Sequence, residues 1–357
     1  MKSIKKRMLL LFSLVMVLAC SFSESAYATP GAADTTGIVV VVIDPGHGGS
    51  DTGNKNGSLY EKNMALVTAQ AMYEELLNYG GVLPYLTRTD DTELSVEQRV
   101  ELAGYLHADL LVSIHYSASA EHQLHGVEAW IPSEAPCHAF GYQFGSLWNL
   151  HMGNYGFHMR GIKTRAFPDG GHQDIVPQAM AQGLVAVALE HGFLDAAADL
   201  ALEDTEEKMR ALGRLDALAV AQYFGLKRNT GEDYRNMSLT EIPGWQVWKH
   251  PVEVSDAPEI CTLTEIGRNA ATGEVTFQLD ATDSNEALQY FDYSIDGGKT
   301  FRNLSVWPGY AWEKAQNEPR VVFTVVLPRR RTAKVVARVY NGYDVTTRSN
   351  EISIRIR

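Results

Sequence analysis

The sequence predicts an α/β fold with a mostly parallel central sheet and helices on both faces, followed by a small all-β sandwich. Three observations carry that expectation. Apolar runs at 38–43, 109–115 and 184–190 lack period-2 alternation and read as strands buried on both faces. Segments of helical period lie between them, and alternating strands and helices build parallel sheets. From about residue 257 the helical period vanishes, and short strand-like runs separated by turns take over.

The elements follow in chain order. Residues 1–28 read as a secretory signal peptide: Lys2, Lys5, Lys6 and Arg7, then apolar Met8 to Ala19, then Ala26-Tyr27-Ala28 as the cleavage site. Cys20, after Val17-Leu18-Ala19, is a weak lipid-attachment signal because Leu18 matches it poorly. The catalytic-size domain is expected over 37–228. It opens with the 38–43 strand and continues with a helix from Glu61 to Asn78, closed by Gly80-Gly81. A strand at 82–87 precedes a second helix, opened near Ser95 by a capping box with Gln98. Strands at 109–115 and 126–131 come next, then a helix over 137–153 bearing Phe144 and Trp148, the 184–190 strand, and a long amphipathic helix over 203–224. Residues 229–256 form a linker, and 257–357 the sandwich. Its strands are expected at 274–279, 290–295, 321–327, 333–340 and 351–356, with a hairpin turn at Asp296-Gly297-Gly298.

Composition narrows the function. The chain has 357 residues, enough for about two domains, with 45% apolar and 21% charged residues, as in ordinary globular proteins. Loss of the signal peptide removes four basic residues and one acidic one, so 31 and 43 become 27 and 42, a net charge of −15. An acidic chain is a poor partner for nucleic acid. No stretch approaches the ~20 apolar residues of a membrane span. The mature chain keeps Cys137 and Cys261, read as buried free thiols; two cysteines, one per domain, exclude cysteine-based metal chemistry.

The chemistry gathers at strand ends. His47 follows the first buried strand within Asp44-Pro45-Gly46-His47-Gly48-Gly49, His115 ends the second, Glu190 ends the third, and Glu61 opens the first helix. Parallel strands present their carboxyl ends on one edge of the sheet, so these groups can converge. Two imidazoles and a carboxylate form a catalytic zinc set with a fourth position for water, and a second carboxylate beside it is a general base. On these grounds Glu61 and Glu190 could exchange roles. A lone histidine at a strand end is more often a packed residue than a ligand. Of the other histidines, His172, flanked by Gly170 and Gly171, is the one placed to line a cleft.

Ile-Asp-Pro-Gly-His47-Gly-Gly, Tyr-Glu61-Lys-Asn, Leu-Thr-Arg88-Thr-Asp, Leu-Leu-Val-Ser-Ile-His115, Gly126-Val-Glu, Arg160-Gly-Ile-Lys and Leu-Glu190-His-Gly-Phe-Leu occur in that order. Over about 38–226 the chain resembles the zinc-dependent N-acetylmuramoyl-L-alanine amidases of bacterial cell walls. The resemblance implies a hydrolase of peptidoglycan that cuts the amide between the lactyl group of muramic acid and L-alanine; the signal peptide implies a secreted chain, expected to be a monomer. It further implies zinc held by His47, Glu61 and His115, with Glu190 as the catalytic carboxylate. Arg88, a charged residue just after a strand, reads as a structural ion-pair tether in preference to a substrate contact. The chain departs from the family pattern at Gly104, Ser117 and His191, where asparagines and a small hydroxyl residue are usual. Some relatives plug the zinc site with an extra helical insert; between 131 and 160 this chain has room for one helix only. The rival readings are a wall-binding or regulatory protein without turnover, and a zinc peptidase or deacetylase acting on the same polymer. In the sandwich, Arg329, Arg330, Arg331, Lys334 and Arg338 read as a basic turn facing solvent or an anionic glycopolymer. Trp307, Tyr310 and Trp312 read as core or as a sugar platform.

Overall fold

The computed structural model describes residues 37–119, 124–165, 171, 174–235, 256–311 and 318–356. The expected signal peptide with Cys20, most of the expected linker, His172 and Trp312 lie outside these residues.

Six strands form the first sheet: β1 (Val39–Pro45), β2 (Val82–Leu86), β3 (Leu110–Ser117), β4 (Val127–Pro132), β5 (Met159–Arg165) and β6 (Ala186–Phe193). Their order is β2-β1-β3-β6-β4-β5. Every neighbouring pair is parallel except β4 with β6, so the sheet is mostly parallel, as expected. β3 and β6 are buried along their whole length, which is why their sequences show no polar alternation.

Helices cover both faces. Helices α1 (Glu61–Leu76), α3 (Cys137–Tyr155) and α6 (Glu206–Tyr223) pack on one face through Met64, Met72, Phe144, Trp148, Leu212 and Val220. Helices α2 (Val96–Tyr105) and α4 (Ile175–Ala181) cover the other through Val100, Ala103, Ile175 and Val176. Ser95 and Gln98 form the expected capping box. The helix expected over 203–224 is α6, preceded by a short helix the sequence does not announce. α5 (Ala197–Glu203) stops at Asp204, and Thr205 then caps α6 by accepting from the Lys208 amide. Between β4 and β5 the chain carries the single helix α3, whose Phe144, Leu147, Trp148 and Met152 are core residues.

The second region is all-β and antiparallel. One sheet holds β7 (Ile260–Asn269), β8 (Glu274–Thr282) and β11 (Arg320–Val326). The other holds β9 (Leu288–Ser294), β10 (Arg302–Val306), β12 (Thr332–Asn341), β13 (Thr346–Arg348) and β14 (Ile352–Arg355). Between them lies a separate core with Phe277, Leu279, Trp307, Val335 and Ile354. Trp307 is therefore core. Arg338 leaves the basic turn: it is buried and pairs with Asp292 at 2.6 Å, while Arg329, Arg330 and Arg331 face solvent.

Candidate active site

The carboxyl ends of β1, β3 and β6 meet where the sequence predicts. His47 Nε2 lies 2.9 Å from Glu61 Oε1, His115 Nδ1 lies 3.0 Å from the same oxygen, and the two ring nitrogens are 3.3 Å apart. Glu61 is fully buried, His115 nearly so, and the His47 side chain is 10% exposed. Glycine makes the approach possible. A Cβ on Gly46 would lie 2.2 Å from His115 Cε1, and one on Gly53 2.5 Å from Glu61 Oε2. His47 itself sits in the left-handed region at φ 60°, a conformation that costs a side chain about 1–2 kcal/mol and is found where function over-determines the backbone.

A second set of groups fixes which atom each side chain presents. His47 Nδ1 donates to Asp51 Oδ2 at 2.8 Å, leaving the Nε2 lone pair aimed at the centre. Ser113 Oγ donates to Asp44 Oδ2 at 2.7 Å and so accepts from His115 Nε2 at 3.1 Å, leaving the Nδ1 lone pair aimed inward. Glu61 accepts from the Tyr116 amide on Oε1 and from the Asn54 amide on Oε2. Three acceptors therefore converge with their protons pointing away, and the centre calls for a cation. Burial pushes the Glu61 carboxyl up, yet the His115 and His47 contacts outweigh it and hold it well below the carboxylate range. Burial likewise lowers His47, but Glu61 and Asp51 carry it above its ordinary value, the same demand for positive charge.

These residues fit zinc. Tetrahedral bonds of about 2.0–2.1 Å place ligand atoms roughly 3.3 Å apart, close to the separations found, and each imidazole has the outer hydrogen-bond partner that metal-bound histidines usually have. The three residues are the metal-competent cluster among the described residues.

Glu190 is beside them. It is the cross-strand partner of His115 and of Glu128, so the three side chains share one face of the sheet. Ser117 Oγ donates to Glu190 Oε2 at 3.0 Å, so the hydroxyl that departs from the family pattern orients the carboxylate. Gly104 lies on α2 against Gln182 and Leu184, with no such contact. His191 is fully buried on the opposite face. Its Nδ1 reaches the His115 carbonyl and its Nε2 reaches Asp216, which also accepts from Trp148 Nε1 at 2.7 Å.

Arg88 is a tether, but to carbonyls. It donates to Pro45, Gly46, Lys62 and Asp90 oxygens, and the ion pair at this edge belongs to Arg99, 2.6 Å from Asp44. Sequence reasoning missed Asp44, Asp51, Arg99 and Ser113. Asp51 four residues after His47 and Ser113 two before His115 on the same strand face were the available signals.

The family model described as N-acetylmuramoyl-L-alanine amidase matches residues 41–222. The chain is 30% identical over 195 residues to the sporulation-specific N-acetylmuramoyl-L-alanine amidase of Bacillus subtilis, covering 54% of this chain and 71% of that protein. It is 30% identical over 200 residues to N-acetylmuramoyl-L-alanine amidase CwlM of Bacillus licheniformis, covering 56% and 74%. The catalytic domain of CwlV from Bacillus (Paenibacillus) polymyxa var. colistinus aligns with a TM-score of 0.47 at 29% identity, over 53% of this chain and 99% of that one.

Proposed function

The chain belongs to the N-acetylmuramoyl-L-alanine amidase family, and from that premise we propose that it is a secreted, zinc-dependent hydrolase of peptidoglycan. The bond cut is the amide between the lactyl group of N-acetylmuramic acid and L-alanine. The observation that carries this reading is the convergence of His47 Nε2, Glu61 Oε1 and His115 Nδ1 beside the carboxylate of Glu190. Residues 37–228 form the catalytic domain, 229–256 a linker and 257–357 the accessory sandwich. Export is supported by the basic, apolar and small-residue segments of 1–28, and no described helix is long and apolar enough to cross a membrane.

His47, Glu61 and His115 would hold zinc, which when bound would supply Lewis acidity toward a carbonyl oxygen and bring the pKa of water close to 7. Glu190 does the proton work. Its carboxylate, oriented by Ser117, takes the proton released as water attacks the lactyl carbonyl carbon. The same proton then goes to the alanine nitrogen as the C–N bond breaks, leaving a lactyl carboxylate and a free amine. Asp51, Ser113 and Asp44 take no part in proton transfer and hold the imidazoles in their tautomers.

Glu190→Gln keeps the shape of the side chain and removes its basicity. The expected result is loss of turnover with one zinc per chain retained, read by metal analysis of the purified variant. A variant that loses its zinc would make Glu190 a ligand and overturn the division of roles.

A further inference from the structure

β5 is the edge strand of the first sheet, and its sequence, Met-Arg-Gly-Ile-Lys-Thr-Arg, is too charged to bury unaided. The sandwich supplies what it lacks. Tyr343 Oη accepts from the Thr164 amide at 2.9 Å, and Tyr310 Oη donates to the Arg160 carbonyl at 2.9 Å, so tyrosine hydroxyls pair main-chain groups of the exposed edge. Tyr290 Oη donates to the His125 carbonyl just before β4. Arg160, with its side chain fully buried, bonds Glu128 at 2.7 Å and Asp344 at 2.6 Å; Lys163 Nζ lies 2.7 Å from Glu128 and 3.6 Å from Asp344. Two acids and two bases thus close a neutral cluster, and the sandwich contributes the fourth charge.

The loop that delivers that charge is built for the purpose. Asn341, fully buried, accepts from the Tyr343 and Val345 amides with its side chain and from the Asp344 amide with its carbonyl. The turn holds Asp344 at φ 61°, a conformation that asparagine and aspartate tolerate better than other side chains. Glu128, at the far side of the cluster, is the cross-strand partner of Glu190.

From this geometry we propose that the sandwich is a fixed wall of the hydrolytic unit and that Asp344 is a positioning residue, acting through Arg160 and Lys163 on Glu128 beside Glu190. The proposal rests on the role of Glu190 given above. Without Asp344 the two cations keep one carboxylate between them, the cluster carries an uncompensated positive charge, and the β4–β5 pair loses its outer anchor against β6.

The test uses the full chain and a soluble disaccharide–peptide fragment, with Asp344→Asn, Glu128→Gln, the double variant and Glu190→Gln as the blank. Asparagine preserves the left-handed turn and removes only the charge. Asp344→Asn is expected to lower kcat about ten- to hundredfold with KM nearly unchanged, and to add little in the Glu128→Gln background. Hydrogen exchange over 159–165, which needs no substrate, should quicken in Asp344→Asn and in Tyr343→Phe. An unchanged kcat, losses that multiply in the double variant, or unchanged exchange would each overturn the proposal. If the wild type releases no more than the blank, the hydrolase reading fails instead, and the exchange arm alone judges the docking.

Discussion

Replacing Asp44 with asparagine should damage stability and metal affinity together, because one buried carboxylate serves both. Asp44 is 1% exposed; its Oδ1 takes Arg99 at 2.6 Å and Thr87, and its Oδ2 takes Ser113, which positions His115. Breaking a buried pair by removing one partner costs about 3–5 kcal/mol. Arg99 keeps the Pro45, His47 and Leu94 carbonyls, so the lower end applies, about 3 kcal/mol. In a domain of roughly 150–250 residues that lowers Tm by about 6–12 °C. Disturbing the partner of a ligand histidine weakens zinc binding by about 10- to 100-fold. Burial raises the Asp44 carboxyl, but Arg99, Thr87 and Ser113 together hold it below 3.8. A depressed carboxylate stabilises the fold above its unfolded value and loses that contribution as pH falls through the folded one. The variant should therefore lose less stability than wild type as pH drops below 3.8. Calorimetry and competitive zinc titration against a chelator read both effects. Unchanged Tm and affinity would refute the relay, and a lower Tm with unchanged affinity would reduce Asp44 to a tether.

Two further outcomes are expected. His158 packs against the rings of Tyr290 and Tyr310, its Nε2 has no hydrogen-bond partner among the described residues, and burial lowers it from 6.5 to about 3. The unfolded chain binds the proton first, so stability falls as pH drops from 6.5 toward 3, by up to about 2 kcal/mol at pH 5; His158→Phe should flatten that slope in denaturant titrations, and a slope unchanged from wild type would count against it. Asp216→Ala strands the Trp148 and His191 donors in the core, and a loss of about 2–4 kcal/mol is expected by urea unfolding; a loss under 1 kcal/mol would mean the bonds carry little.

Much of this was legible in the sequence because strands buried on both faces leave an unmistakable apolar run. His47, His115 and Glu190 could be placed on one edge from those runs alone, and Glu61 from the helix that follows. What stayed hidden depends on distant partners. β5 does not read as a strand because Arg160 and Lys163 are neutralised by Glu128 and by Asp344, over 180 residues away from either. The break between α5 and α6 hangs on one cap at Thr205. β7, β10 and β13 carry too many polar residues to stand out. His191 follows Glu190 directly in sequence, yet alternation along β6 turns it to the opposite face, toward Asp216.

The central claim is tested most directly by mass spectrometry of muropeptides digested with the zinc-loaded mature chain, beside Glu190→Gln and a chelated control. The account predicts intact stem peptides with a free L-alanine amine, and glycan bearing a free lactyl carboxylate, in the active sample alone. Wall material that is bound without release, or fragments cut within the stem or at an acetyl group, would contradict it.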